Sequence, residues 1–417
     1  MHEIDIHKGS LWALHNATPV FTGAYMGSPC VQTHNNSIAN LRHDRFARML
    51  LNSGNKRLRL LTIGSVSPMN GGNTQGGVAT QHSMINQEFV QKSDLNIELV
   101  GTIATNTKAD KDTITGVPYY NRNEGESILD CLLRVIDLTS PDVILMRHIT
   151  NSWAASLEKI ENRPHCVGYV HSVNAIDPKI NPNHLPKKKM MGQALKAMNL
   201  LVFNSHHSYE RAMVLGLSTD CQVHIIPPAA KWDFHNPVIV KKEVIRKILF
   251  IGKLDQNKRI IEVMDAMLDH TKYELIISGD GPLKQNVLQI ISQRPDCSFT
   301  YYENLDSSEL AKVLANCGLL CVPSDYESFG LVYIESLCMG VPIIGFGESV
   351  KFINSCLELQ SGVSVNGTIK ESIGIAIDKL ESNFWDASDL SRKARNFFNP
   401  YRHAKELAIL FHSLEHN

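Results

Sequence analysis

No stretch of this chain approaches the run of about 18 apolar residues that a membrane-crossing helix needs, so no segment is expected to span a bilayer. Nine cysteines are scattered without a C-x-x-C pair or metal-type spacing, which argues against a disulfide scaffold and a zinc site. The closest two, Cys317 and Cys321, flank an apolar strand-like run, and reduced core thiols are expected. A formal net charge of −1 excludes a global pull toward nucleic acid or acidic lipid and leaves room for local patches. Charged residues are only 20% against 43% hydrophobic, so general disorder is excluded. The polar opening MHEIDIHKGS lacks the apolar core of a signal peptide. There is no G-x-G-x-x-G or Walker loop, no D-x-D at a strand end, no short repeat and no low-complexity tract. A cytoplasmic protein is expected, with the inner face of a membrane as a peripheral station.

What is present is alternation. Length alone, 417 residues, points to two domains or more. Strand-like runs RLRLLTIGSVSP (57–68), NIELVGTIA (96–104), DVILMRH (142–148), HCVGYVH (165–171), NLLVFNS (199–205) and VHIIPPA (223–229) are separated by helical patterns. After a polar link, KWDFHNPVIVKKEVI (231–245), the alternation restarts. Its strands are KILFIG (247–252), YELIISG (273–279), CSFTYY (297–302), LLCVPS (319–324) and VPIIGF (341–346). The expected fold class is α/β, with two Rossmann-like domains facing across a cleft. Expected boundaries are an unassigned extension over 1–56, an N-terminal domain over 57–235, a C-terminal domain over 236–398, and a terminal helix over 399–417 that crosses back to the N-terminal domain. LRHDRFARMLLNSG (41–54) reads as a short helix within the extension.

Ligands of parallel α/β sheets sit at the carboxyl ends of the strands, so chemistry is sought just after each run. A Gly-rich turn holding Gly76 and Gly77 precedes a helical segment; it can offer bare backbone N–H groups to an anion or be simply a flexible loop. His171 ends HCVGYV, and an isolated histidine there is more often structural than catalytic. Lys253 and Lys258 follow Gly252 across a strand-to-helix turn, which suits a diphosphate or two solvated lysines equally. Gly279-Asp280-Gly281 is a tight turn, which lets backbone approach a flat ligand or serves turn geometry alone.

The stretch SDYESFGLVYIESLCMGVPIIGF carries Glu327 and Glu335 eight positions apart. Glu327 lies in a loop before Phe329-Gly330-Leu331, and Glu335 is surrounded by Leu331, Val332, Ile334 and Leu337. Two surface acids do not fit that apolar pattern. An acid bonding vicinal hydroxyls does.

With GGVA, PDVILMRH, GYVH, GKLDQNK, SGDGP and PSDYESFGLVYIESLCMGVPII in this order along the chain, it resembles the retaining glycosyltransferases of the GT-B fold, family four, the glycogen-synthase-like group with the E-x7-E signature. The resemblance covers roughly 57–416. It implies transfer of a hexose or pentose from a nucleotide-diphosphate sugar, a UDP sugar foremost, to a hydroxyl, without a metal or permanently bound cofactor. It also implies roles. Glu335 would accept the ribose hydroxyls and Glu327 would hold a hydroxyl of the transferred sugar. Backbone around Phe329, Gly330 and Leu331 would approach sugar and phosphate, with Gly252, Gly279, Asp280 and Gly281 lining the donor site. Lys253 and Lys258 would neutralise the leaving diphosphate, Gly76 and Gly77 would touch its phosphates, and His171 would lie by the donor sugar. Lys253 stands where the family usually has Arg, which keeps the charge and loses the bidentate fork.

For the acceptor, residues 1–59 hold seven Lys/Arg against three Asp/Glu, and 179–196 hold five lysines and no acid, including Lys187, Lys188 and Lys189. One reading is an anionic acceptor, either a lipid-linked saccharide at a membrane surface or DNA bearing a hydroxymethylated base. The plain reading is a solvated helix start. The expected acceptor is a glycan or glycolipid; the alternatives are the DNA base and, more remotely, sugar-nucleotide epimerisation on the same fold.

Overall fold

Short runs rich in Val, Ile and Leu become the strands of two parallel sheets in a computed structural model of the chain. It describes residues 31–32, 57–73, 76–149, 152–217, 219–237 and 245–415. The helix expected over 41–54 and most of the 1–56 extension lie outside the described residues. By contacts the chain divides into one unit running to Pro227 and rejoined by His403–Asn417, and a second, Pro228–Arg402.

In the first unit the elements are β1 (Val31–Gln32), β2 (Leu58–Gly64), α1 (Gly77–Gln91), β3 (Ile97–Ala104), β4 (Tyr119–Tyr120), α2 (Ile128–Thr139) and β5 (Val143–Met146). They continue with α3 (Ser152–Leu157), β6 (His165–Val170), α4 (His184–Ala197), β7 (Leu200–Phe203), α5 (His206–Val214) and β8 (Gln222–Ile225). The sheet order is β1-β8-β7-β6-β5-β2-β3-β4, all pairs parallel. Strand order reverses between β2 and β5, which makes their carboxyl ends a switch point. Within the extension, Val31–Gln32 pairs with β8, a strand the sequence pattern does not announce.

The second unit runs β9 (Lys247–Ile251), α6 (Ile260–Met267), β10 (Glu274–Ser278), α7 (Lys284–Gln293), β11 (Phe299–Tyr302), α8 (Ser307–Leu314) and β12 (Leu319–Val322). It then runs α9 (Leu331–Cys338), β13 (Ile343–Gly345), α10 (Gly347–Leu357), β14 (Gly362–Ser364), α11 (Ile369–Glu381) and α12 (Ala387–Phe397). Its order, β11-β10-β9-β12-β13-β14, is the Rossmann arrangement, with the switch point between β9 and β12. Successive side chains point to opposite faces of a strand. Ile248, Phe250, Leu319 and Cys321 therefore enter one core layer, and Leu249, Leu320 and Val322 the other. Helices cover both faces, so these strands read as unbroken apolar runs.

The link residues 231–235 belong to the second unit: Phe234 is fully buried in its core beside Leu310 and Tyr333. The last helix, α13 (Pro400–Leu414), carries its residues from His403 onward into the first unit. There Phe411 meets Phe89 with ring centroids 6.0 Å apart, and His412 Nε2 lies 3.2 Å from Leu95 O. The eight described cysteines are all free thiols.

Candidate active site at the strand ends

At the switch point of the second unit two loops meet, one after β9 and one after β12. Asn257 stitches them together. Its Nδ2 donates to Tyr326 O at 3.2 Å, its Oδ1 accepts from Tyr326 N at 3.2 Å, and its own carbonyl accepts from Asp325 N at 2.9 Å. That clamp brings Lys258 Nζ to 2.5 Å from Glu327 Oε2. The side chains keep 19% and 21% of their exposure, so the pair faces accessible space. Ser324 Oγ lies 3.4 Å from the same carboxylate oxygen.

Glu335 is on α9, which begins only at Leu331 because Gly330, at φ 89°, turns the chain into it. A Cβ at Gly330 would lie 2.3 Å from the Tyr333 ring, so glycine is required there. The helix sinks Glu335 to 5% exposure, and burial raises its carboxyl pKa. Lys231 opposes that shift, with Nζ 3.5 Å from Glu335 Oε1. Lys231 also donates to Ser307 Oγ at the start of α8, at 3.1 Å. Sequence reading missed Lys231. It lies in the link, two residues past the run VHIIPPA (223–229), and the one available signal was a lone cation just before an aromatic turn. Tyr333 holds the base of the site by donating to Val322 O at 2.6 Å and accepting from Phe346 N at 3.1 Å.

Other expected residues lie at different distances from this centre. Lys253 is exposed and its Nζ stands 3.7 Å from Asp255 Oδ2. Gly252, Gly279 and Gly281 all have φ near +150°, and at Gly279 and Gly281 close backbone packing adds a second reason. A Cβ on Gly279 would fall 1.9 Å from Gly252 O, and one on Gly281 2.5 Å from Leu254 O. Backbone bonds join the same loops: Gly252 N to Ser278 O at 3.0 Å and Leu254 N to Asp280 O at 2.9 Å. Asp280 is exposed, 3.7 Å from Lys284 Nζ. Phe329 is a core residue, edge-on to Phe352 and Phe398.

In the first unit, Gly76 caps α1 at φ 142°, with nothing within 4 Å of where a Cβ would stand, and Gly77 starts the helix. His171 stacks on Tyr169 at 4.4 Å. Burial, then the charge of Arg147, holds its imidazole well below the ordinary histidine pKa, so it is neutral at pH 7. Lys187 and Lys189 are exposed on α4. Lys188 lines a pocket of about 600 Å³ with Lys196, Gly216 and Asp220.

Comparison with known proteins bears on the second unit first. Residues 233–397 match the family model of glycosyl transferases group 1. This glycosyl transferases group 1 segment contains the Lys258–Glu327 and Lys231 neighbourhood except Lys231 itself, which lies just before it. Among curated relatives, a 41.2 kDa protein in the cps region of Klebsiella pneumoniae is 26% identical over 55% of this chain. A glycogen synthase of Mycobacterium tuberculosis is 30% identical over 33% of this chain. The chain matches 63% of the first relative's length and 33% of the second's. Among solved structures, the sucrose-phosphate synthase of Thermosynechococcus elongatus aligns with TM-score 0.68 at 14% identity, covering 86% of this chain and all of that one. HepE of Anabaena, solved in complex with UDP, aligns with TM-score 0.63 at 14% identity over 86% of this chain and 100% of its own. The fold is thus that of the GT-B glycosyltransferases, two Rossmann-like units.

Proposed function

We propose that the protein is a retaining glycosyltransferase that moves a sugar from a UDP sugar to a hydroxyl of a glycan or glycolipid. The observation that carries this reading is the Lys258–Glu327 pair, 2.5 Å apart at the β9/β12 switch point, within the segment that matches glycosyl transferases group 1. The UDP bound to HepE supports the choice of nucleotide.

The chemistry needs two things at that point. Breaking the bond between the anomeric carbon and phosphate makes an oxocarbenium-like sugar and a diphosphate. Lys258 neutralises the oxygens on which negative charge grows. It does so by leaving Glu327, whose carboxylate then accepts a hydroxyl of the transferred sugar, so the pair is the resting form of the site. Glu335 takes the ribose hydroxyls, and Lys231 keeps it ionised for that task against the cost of burial. Backbone N–H groups around Phe329, Gly330 and Leu331 approach the sugar and phosphate. Lys253, exposed to solvent, is a weaker phosphate contact than Lys258. The acceptor is assigned to the first unit, where His171 and the Gly76-Gly77 turn lie and where Lys187, Lys188 and Lys189 add positive charge.

The test is a thermal-shift screen of UDP, GDP, ADP and their sugars, followed by proton NMR of the transfer product. A UDP sugar should raise Tm by mass action, and the product should keep the donor's anomeric configuration. Stabilisation by no nucleotide ends the donor assignment; inversion ends the retaining one.

A further inference from the structure

At the switch point of the first unit, β2, β5 and β6 are neighbours and parallel, so their carboxyl ends open on the same side. Arg147 follows β5, His171 follows β6, and His82 rises from α1, the helix after β2. Arg147 is 0% exposed, yet none of its Nε, Nη1 and Nη2 atoms meets a hydrogen-bond acceptor among the described residues. A desolvated guanidinium with five unused N–H donors is a costly arrangement. Among the described residues the guanidinium does lie against the Tyr169 ring, whose centroid is 5.3 Å from Arg147 Cζ. The Tyr169 hydroxyl is already engaged with Ile226 O at 2.8 Å.

The surroundings make the guanidinium harder to explain as a structural group. The titratable side chains that act on His171 here are Arg147, His148, His403 and His82, all basic, while the acid Glu406 acts on Tyr169. Burial lowers the Arg147 pKa only to about 10, so it stays charged at neutral pH, while His82 is pushed down to about 3 by burial and then by Arg147. Nε2 of both His82 and His171 is buried without a partner among the described residues. His82 Nδ1 is 2.9 Å from Ser65 O, so the neutral ring donates there and leaves Nε2 as a bare acceptor. A Cβ at Gly64 would lie 3.0 Å from both Arg147 Cβ and His82 Nδ1, so a larger residue there would force one of the two to give way.

We propose that Arg147, with Nε2 of His82 and His171, forms a receptor in the first unit for one oxyanion group of the acceptor, a carboxylate or phosphate that carries a neighbouring hydroxyl. The planar fork of the guanidinium matches two oxygens of either group. The lone pair of His82 Nε2 takes the hydroxyl of the same molecule, which points to an acidic sugar or a sugar phosphate. That the bound molecule is the acceptor rests on the glycosyltransferase reading; that the site binds an oxyanion does not.

The experiment uses the full chain, at constant ionic strength, with UDP at saturation so that the donor site is filled. Glucuronate, glycerol 3-phosphate and the neutral methyl glucoside are titrated by calorimetry against wild type and Arg147→Met. At least one of the two anions should bind wild type and bind the variant at least ten-fold more weakly, while methyl glucoside is indifferent to the substitution. Response to glucuronate alone assigns an acidic sugar, and response to glycerol 3-phosphate alone assigns a phosphate ester. Equal binding to wild type and variant, or no binding of either anion, overturns the receptor. If Arg147→Met weakens UDP itself as much as the anions, the oxyanion is the donor's diphosphate and the acceptor assignment falls. Failure of UDP to bind wild type at all counts against the donor reading and leaves the anion titration, run without UDP, to judge the receptor. Should the variant not fold, histidine-labelled wild type replaces it: the anion that binds should shift the ring signals of His82 and His171, and unmoved signals overturn the proposal.

Discussion

Lys258 and Glu327 stand 69 residues apart in the chain and 2.5 Å apart in space, where Asn257 ties the β9 loop to the β12 loop. Removing the cation should therefore separate chemistry from binding. Lys258→Met is expected to lower the turnover of transfer by about 10²–10³, the usual loss for one electrostatic contact at a transition state. The dissociation constant of UDP should change far less. Steady-state kinetics beside calorimetry on UDP decides it, and near-normal turnover would make Lys258 a structural partner of Glu327.

Lys231 is the cation of a buried carboxylate. Lys231→Met should leave the buried Glu335 carboxyl without its cation and cost about 3 kcal/mol of stability, the low end of the usual range because Lys231 keeps a quarter of its exposure. Adding Glu335→Gln to that variant should recover most of the loss, since no charge then remains to bury. Urea unfolding of the two variants and wild type measures both steps. A loss that Glu335→Gln does not repair would place the role of Lys231 in its bond to Ser307.

The Gly279 position has no room for a side chain. Gly279→Ala sets a Cβ 1.9 Å from Gly252 O at φ 147°, and an expected cost of about 3 kcal/mol or more follows from the overlap and the backbone conformation together. Gly76→Ala, at φ 142° but in open space, should cost distinctly less. Denaturant midpoints compare them. Equal costs would mean that backbone conformation, and not the meeting of the two loops, sets the requirement for glycine.

His82 makes stability depend on pH. Its imidazole is held at about 3 in the folded state, below its ordinary value of 6.5, so the unfolded chain binds the proton first. Stability from this group is full above pH 6.5 and declines as the pH falls from there toward 3, by up to about 1.4 kcal/mol per pH unit. His82→Asn, which has no proton to take up, should unfold with a shallower pH dependence between pH 6 and 4. Unchanged slope in urea titrations across that interval would remove His82 as a source of acid sensitivity. Bound oxyanion at Arg147 should raise the His82 pKa and flatten the same profile in wild type.

The amino-acid sequence by itself determined the two α/β halves. Apolar runs bounded by glycine, proline and serine are local signals, and parallel strands buried on both faces write them without interruption. It also marked Glu335 as an acid out of place, because four apolar neighbours surround it within a few positions. Elements of three residues, such as β14, offered no periodicity to read. Tertiary structure alone decided what each charge meets. Lys231 reaches Glu335 from over 100 residues away in sequence, and Lys253 turns to solvent while Lys258, five positions on, turns inward. The same holds for Arg147, which is buried with no hydrogen-bond partner among the described residues. A pairing between distant charges depends on loop closure and on which sheet edge reverses, and neither leaves a trace in local spacing.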